Sequence, residues 1–255
     1  MRTQSSLSDS SNYISAVIEA VLEDKKFNVF RSDSRYCEIL EHTSFQQGEE
    51  YLQHILKSRD ISDETISLLR KIDQQGGSKK YEFKSIGLLA PSMLRYLSVL
   101  TDIVNFHGSL ENKKVVEIGA GYGGQAMLIN SLFNVEKYTI VDLPEPILLI
   151  KKFLTKNDVN LEKFEFYTSD NLPQIQSDYL ISNYAFSECC KSVQDIYIDK
   201  LINNASNFYM IINNLSLSCY SPDELLARIK RCIKVRQEFP LTYHSNLLFL
   251  GAAVP

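Results

Sequence analysis

Apolar residues in the first third of the chain recur at the spacing of helices. Between residue 12 and about residue 75 they fall three or four positions apart, as at Tyr13 and Val17, which places them on one face of a helix. Residues 78–89 mix Tyr, Phe and Gly and are predicted to form a loop. Pro91 then opens a further helix. This part of the chain is therefore predicted to be helical.

From residue 114 onward, short apolar runs alternate with segments of helical spacing. Such alternation predicts an α/β domain whose parallel sheet has helices on both faces. After a helix predicted over 222–233, two further strands follow with only a loop between them, and strands joined so closely form an antiparallel hairpin. The sheet is therefore predicted to be mostly parallel with a C-terminal antiparallel hairpin. The predicted strands cover residues 115–118, 138–141, 164–167, 179–182, 208–212, 235–239 and 247–251.

These patterns divide the chain into three segments. Residues 1–11 are Ser-rich and polar, and we predict a disordered tail rather than a signal peptide. Residues 12–90 are predicted to form a helical cap region, and residues 91–255 the domain that carries the sheet. No apolar run reaches the length of a membrane span.

The composition excludes several classes of protein. Among 255 residues, 44% are hydrophobic and 23% are charged, as in soluble globular proteins. The net charge of −4 and the scattered Lys-Lys pairs argue against a nucleic-acid partner. Five cysteines without Cys-x-x-Cys spacing support neither a disulfide framework nor a zinc site. We therefore expect a cytoplasmic protein, and one that is independent of metal because no His, Asp and Glu cluster has ligand spacing.

A glycine-rich turn follows the first predicted strand of the sheet, in the sequence Val-Val-Glu-Ile-Gly-Ala-Gly-Tyr-Gly-Gly over residues 115–124. Glycines let the main chain approach a ligand closely, and the helix that follows offers unpaired N–H groups. As G-x-G-x-x-G, the turn fits the dinucleotide fingerprint. With Glu117 before Gly119, Gly121 and Gly123, it also fits motif I of the S-adenosylmethionine-dependent methyltransferases. The glycines alone do not decide between the two cofactors.

Two acidic residues bear on that choice. Glu117 would repel a pyrophosphate, but it suits the cationic methionine end of S-adenosylmethionine. Asp142 ends the next strand, about 20 residues after the first glycine, where a carboxylate binds the ribose hydroxyls of either cofactor. The pair favours S-adenosylmethionine over NAD.

Four stretches of the chain resemble the sugar O-methyltransferases of bacterial surface-polysaccharide gene clusters, and the resemblance runs from about residue 81 to the C-terminus. It implies a Rossmann-like class I methyltransferase fold, S-adenosylmethionine as cofactor and S-adenosylhomocysteine as product. It also implies that the acceptor is a hydroxyl of a sugar, a nucleotide sugar or a glycan precursor of a capsule or other polysaccharide. The four stretches are residues 91–96, 117–125, 138–144 and 181–188.

The expected cofactor site combines motif I with residues beyond it. Asp142 is expected to bind the ribose, with Leu143 against the adenine. Asp170 can accept from the adenine amino group or serve only as a turn residue. Gln125 and Arg95 can hold the methionine carboxylate, although Arg95 can equally be an ion-pairing residue. The expected cofactor residues are Glu117, Gly119, Ala120, Gly121, Gly123, Gln125, Asp142, Leu143, Asp170, Asn183 and Arg95.

The expected catalytic residues follow the fourth strand, because its carboxyl end faces the ligand in open α/β sheets. That position places Asn183 and Tyr184 beside the transferred methyl group. Glu188 is the first candidate for the general base that a hydroxyl acceptor requires, with a helix-start carboxylate as its alternative role. His244, in the loop between the last two strands, is the second candidate. His42, in the helical region, is expected at the surface.

Other functions remain open from the sequence. The acceptor can be another small group, such as a phosphoramidate or an amine. An NAD-dependent sugar oxidoreductase is a second possibility, against which stand Glu117, the terminal hairpin and the absence of a Tyr-x-x-x-Lys pair after the fourth strand. A third is a non-catalytic methyltransferase-like subunit of another protein. The apolar helical region makes a homodimer plausible.

Overall fold

A seven-stranded sheet forms the centre of the protein, in a computed structural model that describes residues 10–213 and 218–252. Its strand order is β5-β4-β3-β6-β7-β9-β8, and β9 runs antiparallel to both of its neighbours while the other pairs are parallel. The predicted mostly parallel sheet with a late antiparallel hairpin is therefore confirmed. The strands of this sheet are β3 (Lys114–Ile118), β4 (Lys137–Val141), β5 (Phe164–Tyr167), β6 (Ser177–Asn183), β7 (Ala205–Ile212), β8 (Cys232–Gln237) and β9 (Leu247–Ala252).

Helices cover both faces of the sheet, and the first third of the chain is mainly helical, as predicted. Short 3-10 turns occupy Phe30–Ser32, Leu161–Lys163, Ser169–Asn171 and Ile202–Asn204. The helices are α1 (Ser11–Leu22), α2 (Asp24–Phe27), α3 (Ser34–Cys37), α4 (Phe45–Ser58), α5 (Asp63–Ile72), α6 (Pro91–His107), α7 (Gly124–Leu132), α8 (Pro144–Lys156), α9 (Ala185–Glu188), α10 (Lys191–Lys200) and α11 (Pro222–Arg228).

The N-terminal boundary differs slightly from the prediction. Of the tail predicted over residues 1–11, residues 1–9 lie outside the described part of the chain. Ser10 caps the first helix, because its side chain accepts from the N–H of Tyr13, and Ser11 already belongs to α1. A polar Ser-rich run thus contains a helix start, which composition alone does not reveal.

The predicted loop over residues 78–89 is wrong, because it contains a small hairpin of β1 (Tyr81–Phe83) and β2 (Gly87–Leu89). Phe83 and Leu89 are buried whereas Glu82 is exposed, so the alternation typical of a half-buried strand was present over three residues only. Such a short run is easily mistaken for a loop.

The helix predicted over residues 222–233 is also too long. It ends at Arg228, and Cys232 already pairs with Ala252 as the first residue of β8. Pairing with the neighbouring strand outweighs the local preference for helix, as is common for short apolar segments.

The N-terminal helices and one face of the sheet share a single apolar core. Leu52 and Met93 belong to the same buried cluster as Val115 and Tyr138 of the sheet. The other sheet face packs a second cluster beneath α10 and α11. The predicted division at residue 90 stays a prediction, since this core runs across it.

A buried guanidinium fastens the N-terminal region to α6. Arg31 is 1% exposed and pairs with Glu41 and Asp73, both at 2.8 Å, while it also donates to Ser92 at 3.1 Å. Every partner is hydrogen-bonded, so this burial of charge is compensated. The network holds residues 38–42 beside the first turns of α6, over the carboxyl ends of the strands.

Candidate active site

A cavity of about 800 Å³ opens at the carboxyl ends of β3, β4, β5 and β6. Gly119, Asp142, Asp170 and Asn183 line it from the sheet, and Leu40 lines it from the N-terminal region. This volume suits a small-molecule site. The cavity therefore lies at the sheet edge where the sequence predicted the site.

The glycine turn forms one wall of the cavity. Gly119 and Gly121 have φ angles of 74° and 62°, which side chains rarely adopt. A Cβ on Gly119 would lie 2.0 Å from the Cβ of Ala185, so this position has no room for a side chain. Both glycines line the cavity, which leaves their main chain open to a ligand. Ala120 and Gly123 do not line it; Gly123 is the left-handed N-cap of α7.

Asp142 lies at the end of β4 on the cavity wall, next to Leu143. Its Oδ1 accepts the N–H of Leu143 at 2.8 Å. Burial raises the pKa of Asp142 to about 7, and hydrogen bonds from the backbone of Leu143, Ala120 and Gly121 oppose that rise. The carboxylate thus joins the glycine turn to the end of β4, where a pair of ligand hydroxyls can reach it.

Asp170 lines the cavity from the 3-10 turn that follows β5. That turn is held by Asn171, whose Oδ1 accepts the N–H of Thr168 at 2.8 Å. The local hydrogen bonds of the turn therefore do not need the Asp170 side chain. This arrangement favours the ligand-facing role of Asp170 over the turn-forming one.

Arg95 brings a buried positive charge to the cavity. The residue is 6% exposed, and its Nε has no hydrogen-bond partner among the described residues. Its guanidinium lies 5.8 Å from the ring centroid of Tyr96 and 5.9 Å from that of Tyr184. No other Lys or Arg appears among the described residues that line the cavity, whereas four lining residues carry carboxylates: Glu38, Asp142, Asp170 and Glu188.

The structure does not bring Glu117 to the cavity. Its side chain is on the opposite face of β3 from Ile118, which does line the cavity, because neighbouring strand residues point to opposite faces. Glu117 is 2% exposed, and its Oε2 accepts the hydroxyl of Tyr138 at 2.8 Å. Burial raises the pKa of Glu117 to about 7. The acid before the glycines is therefore a core residue beneath the turn.

Gln125 also lies behind the wall. Its Nε2 donates to the carbonyl of Tyr96 at 3.3 Å, which links α7 to α6 next to Arg95. Its Oε1 has no partner in the described ranges. Gln125 does not line the cavity, so the structure does not place it where it could contact a ligand carboxylate.

The raised pKa of Glu117 predicts a pH-dependent stability. Between about pH 4.5 and 7 the folded protein holds a proton that the unfolded chain releases, so the free energy of unfolding falls as pH rises through this window. Glu117→Gln keeps an acceptor for Tyr138 without the charge. We expect this variant to raise Tm by about 5 °C at pH 8 and by much less at pH 5. At pH 8 it should regain about 1–2 kcal/mol of the free energy of unfolding.

Thermal unfolding of both proteins at the two pH values measures this effect. Glu136→Gln is the control, because Glu136 is an exposed partner of Lys114 with 56% of its side chain accessible. An equal change in Tm at both pH values would contradict the assignment. The pKa of Asp142 is also raised, so the stability of the Glu117→Gln variant should still depend on pH to a smaller extent.

Tyr184 occupies an unusual backbone conformation at the end of β6, with φ 70° and ψ −38°. Such a conformation in a residue other than glycine costs about 1–3 kcal/mol and is frequent at functional sites. Its hydroxyl donates to Glu238 and lies 2.8 Å from Oγ1 of Thr242. Tyr184, Thr242 and Asn246 line the cavity, and Glu238 lies behind them. Sequence reasoning missed Glu238, since nothing in its spacing marks it.

The two candidate bases differ in placement. Glu188 lines the cavity, and its Oε1 accepts Nδ2 of Asn213 at 2.8 Å. His244 is exposed, lies against the ring of Tyr243 and is not part of the cavity wall. His42 is exposed, as expected, and it also lines the cavity, where desolvation and the charge of Arg95 lower its pKa.

The described residues contain neither a metal-binding cluster nor a membrane-spanning helix. Within residues 10–213 and 218–252, no group of three or more His, Cys, Asp or Glu is arranged to hold a metal ion. Over the same ranges, no helix combines the length and apolarity that crossing a membrane requires.

No family model matches the chain, and no curated protein matches its sequence. Solved structures of methyltransferases do resemble it in fold. One from Aquifex aeolicus shares 15% identity, with 60% of this chain and 88% of that chain covered, at a TM-score of 0.46. The methyltransferase domain of bacterial-CtHen1-CN shares 11%, covering 62% and 97%, at 0.48.

A third resembling structure contains the methyl donor. Phosphoethanolamine N-methyltransferase 2 of Haemonchus contortus, in complex with S-adenosyl-L-methionine, shares 12% identity over 63% of this chain and 52% of that chain, at a TM-score of 0.49. Sequence identities this low indicate a likeness of fold and nothing about function. The fold of this chain is α/β, with the antiparallel β9 between β7 and β8.

Proposed function

We propose that this chain is an S-adenosylmethionine-dependent methyltransferase. The observation that carries the proposal is the presence, in one cavity, of Asp142 at the end of β4 and of the buried guanidinium of Arg95, whose Nε has no hydrogen-bond partner among the described residues. A ribose diol needs an acceptor such as Asp142, and an amino-acid carboxylate needs a cation such as Arg95. The main chain at Gly119 and Gly121 would lie along the ligand between them.

The cavity also suits the charge of this cofactor. Bound S-adenosylmethionine would supply a methyl group already activated by its sulfonium. The carboxylates of Asp142, Asp170, Glu38 and Glu188 give the cavity a negative character that favours a cationic ligand. The protein's own task is then to align the acceptor with the methyl carbon and to receive a proton.

The acceptor we propose is a hydroxyl of a sugar, nucleotide sugar or glycan precursor, as the resemblance to polysaccharide-cluster enzymes implies. Asn183 and Asn246 line the cavity, and the Oδ1 atom of each is buried without a hydrogen-bond donor from the described residues. Buried acceptors of this kind need partners, and a polyhydroxyl compound supplies several. Asn183 can instead hold the cofactor.

An amine acceptor is the second candidate. Glu38 and Glu188 line the cavity, and carboxylates there would stabilise a cationic amine. The NAD-dependent alternative is less well supported by the sheet. Dinucleotide-binding sheets have the order 3-2-1-4-5-6, whereas here the antiparallel β9 separates β7 from β8.

Transfer of the tritiated methyl group of S-adenosylmethionine to defined acceptors tests the proposal. We expect labelled product with UDP- or GDP-sugars and none with ethanolamine or its phosphate. Labelling of the amines alone would replace the hydroxyl acceptor by the amine one. Binding of S-adenosylhomocysteine to a protein that labels neither set, but associates stably with another protein, would favour the non-catalytic subunit.

A further inference from the structure

Glu238 is a buried carboxylate directly behind the cavity wall. It follows β8, is 5% exposed, and accepts hydrogen bonds at both of its oxygens. Oε1 accepts the hydroxyls of Tyr184 and Thr242, the latter at 2.8 Å. Oε2 accepts the N–H of Thr242 at 3.1 Å and Nδ2 of Asn246 at 2.8 Å. The three donor residues all line the cavity, so only one layer of side chains separates Glu238 from a bound acceptor.

A loop-bracing role accounts for part of this network, because Thr242 and Asn246 belong to the same turn as Glu238. It does not account for Tyr184, which comes from the end of a different strand, β6. The backbone of Tyr184 has φ 70°, and its N–H donates to the carbonyl of Ile211 at 3.1 Å, which fixes the main chain of this residue at the cavity wall. Burial, and after it the charges of Tyr51 and Glu238, raise the pKa of Tyr184.

We propose that Tyr184 and Glu238 form the route by which the acceptor hydroxyl loses its proton, an inference that rests on the proposed methyl transfer. As the acceptor oxygen forms its bond to the methyl carbon, the carbon–sulfur bond breaks and the sulfur keeps the electron pair. The acceptor O–H proton passes to the Tyr184 oxygen while the Tyr184 proton passes to Oε1 of Glu238. The charges balance, since a sulfonium and a carboxylate become a thioether and a carboxylic acid.

The relay differs from direct proton transfer to Glu188. Tyr184 alone is a poor base because it is neutral, but with Glu238 behind it the phenol can accept one proton as it donates another. Glu188 also lies at the cavity, with Asn213 as a partner, and is the competing proton acceptor. The titratable groups that face Glu238 are Tyr184, Tyr51 and Tyr209, with Arg95 across the Tyr184 ring and His54 against the neighbouring Phe239.

Turnover of the fastest acceptor in a panel of UDP- and GDP-sugars tests the relay. We expect kcat to fall about 100-fold in Glu238→Gln and in Tyr184→Phe, the usual range for loss of a general base. The double variant should be no slower than the slower single variant, because the two residues act in one step. Affinity for S-adenosylhomocysteine should stay within about threefold in all three.

The pH profile separates a proton relay from a structural role. In the wild type, kcat should fall on the acid side of its pH profile, and this limb should be absent in Glu238→Gln and retained in Glu188→Gln. Matched controls come from a Tyr–carboxylate pair outside the cavity, in which the Tyr220 hydroxyl donates to Asp195 at 3.0 Å. Tyr220→Phe and Asp195→Asn should leave both kcat and its pH profile unchanged.

Several results would overturn the relay. These are turnover of Glu238→Gln within threefold of the wild type, losses that multiply in the double variant, or loss of the acid limb in Glu188→Gln alone. Tyr184→Phe leaves Glu238 with its other three donors, so it keeps the test valid if Glu238→Gln does not fold. A wild-type protein that binds no S-adenosylhomocysteine would instead contradict the proposed function itself.

Discussion

Replacing Asp142 by alanine is expected to weaken the binding of S-adenosylhomocysteine about 100-fold. Asp142 stands at the end of β4 on the cavity wall and is the residue placed to accept both ribose hydroxyls. Hydrogen bonds to a charged group are worth about 1.5–3 kcal/mol each, and 1.4 kcal/mol corresponds to a tenfold change in affinity. The expected loss is reduced because the removed carboxylate is itself costly to bury.

Calorimetric titration at pH 8 measures this loss, with Asp199→Ala as the control because Asp199 is exposed on α10 outside the cavity. The same titrations should show a pH dependence. Since the pKa of Asp142 in the free protein is about 7, wild-type affinity should fall as pH drops below 7, by up to tenfold per pH unit. Asp142→Ala should lose this dependence. Unchanged affinity in the variant would contradict the assignment of the ribose site.

Replacing Arg95 by glutamine is expected to weaken the binding of S-adenosylhomocysteine about 50-fold, for a different physical reason. The guanidinium is buried, and its Nε has no partner in the described part of the chain, so a ligand carboxylate would complete its hydrogen bonding. Loss of a charged hydrogen-bonded pair removes about 2–3 kcal/mol of binding. The folded protein itself should not be destabilised, because the variant removes a buried charge whose Nε has no hydrogen-bond partner among the described residues.

A pair of ligands separates the Arg95 site from the ribose site. 5′-Methylthioadenosine has the ribose and adenine of S-adenosylhomocysteine but lacks its amino-acid part. Asp142→Ala should weaken the binding of both ligands, whereas Arg95→Gln should weaken the binding of S-adenosylhomocysteine only. Arg228→Gln is the matched control, since Arg228 forms an exposed ion pair with Asp195. Equal effects of Arg95→Gln on the two ligands would place Arg95 away from the methionine carboxylate.

The sequence was most informative where function depends on short local patterns. The glycines at 119 and 121 need backbone angles that other residues avoid, and Asp142 ends an apolar strand, so both features can be recognised without the fold. The alternation of strands and helices likewise predicted the sheet. These signals depend only on neighbouring residues.

The features that the sequence did not reveal depend on distant contacts. Glu238 gains its role from Tyr184, which comes from the end of β6 and is distant in sequence. His42 reaches the cavity because the N-terminal region folds over the strand ends. Glu117 satisfied the motif, but strand alternation turns its side chain to Tyr138 and away from the cavity. Pattern matching locates such a residue along the chain without giving the direction of its side chain.

Calorimetric titration of the wild-type protein with S-adenosylhomocysteine and, separately, with NAD tests the central claim most directly. The cavity with Asp142 and Arg95 predicts micromolar binding of S-adenosylhomocysteine and no binding of NAD. Binding of NAD alone would contradict the methyltransferase assignment and indicate redox chemistry at the glycine turn. Binding of neither ligand would contradict it as well and leave the non-catalytic subunit as the better account.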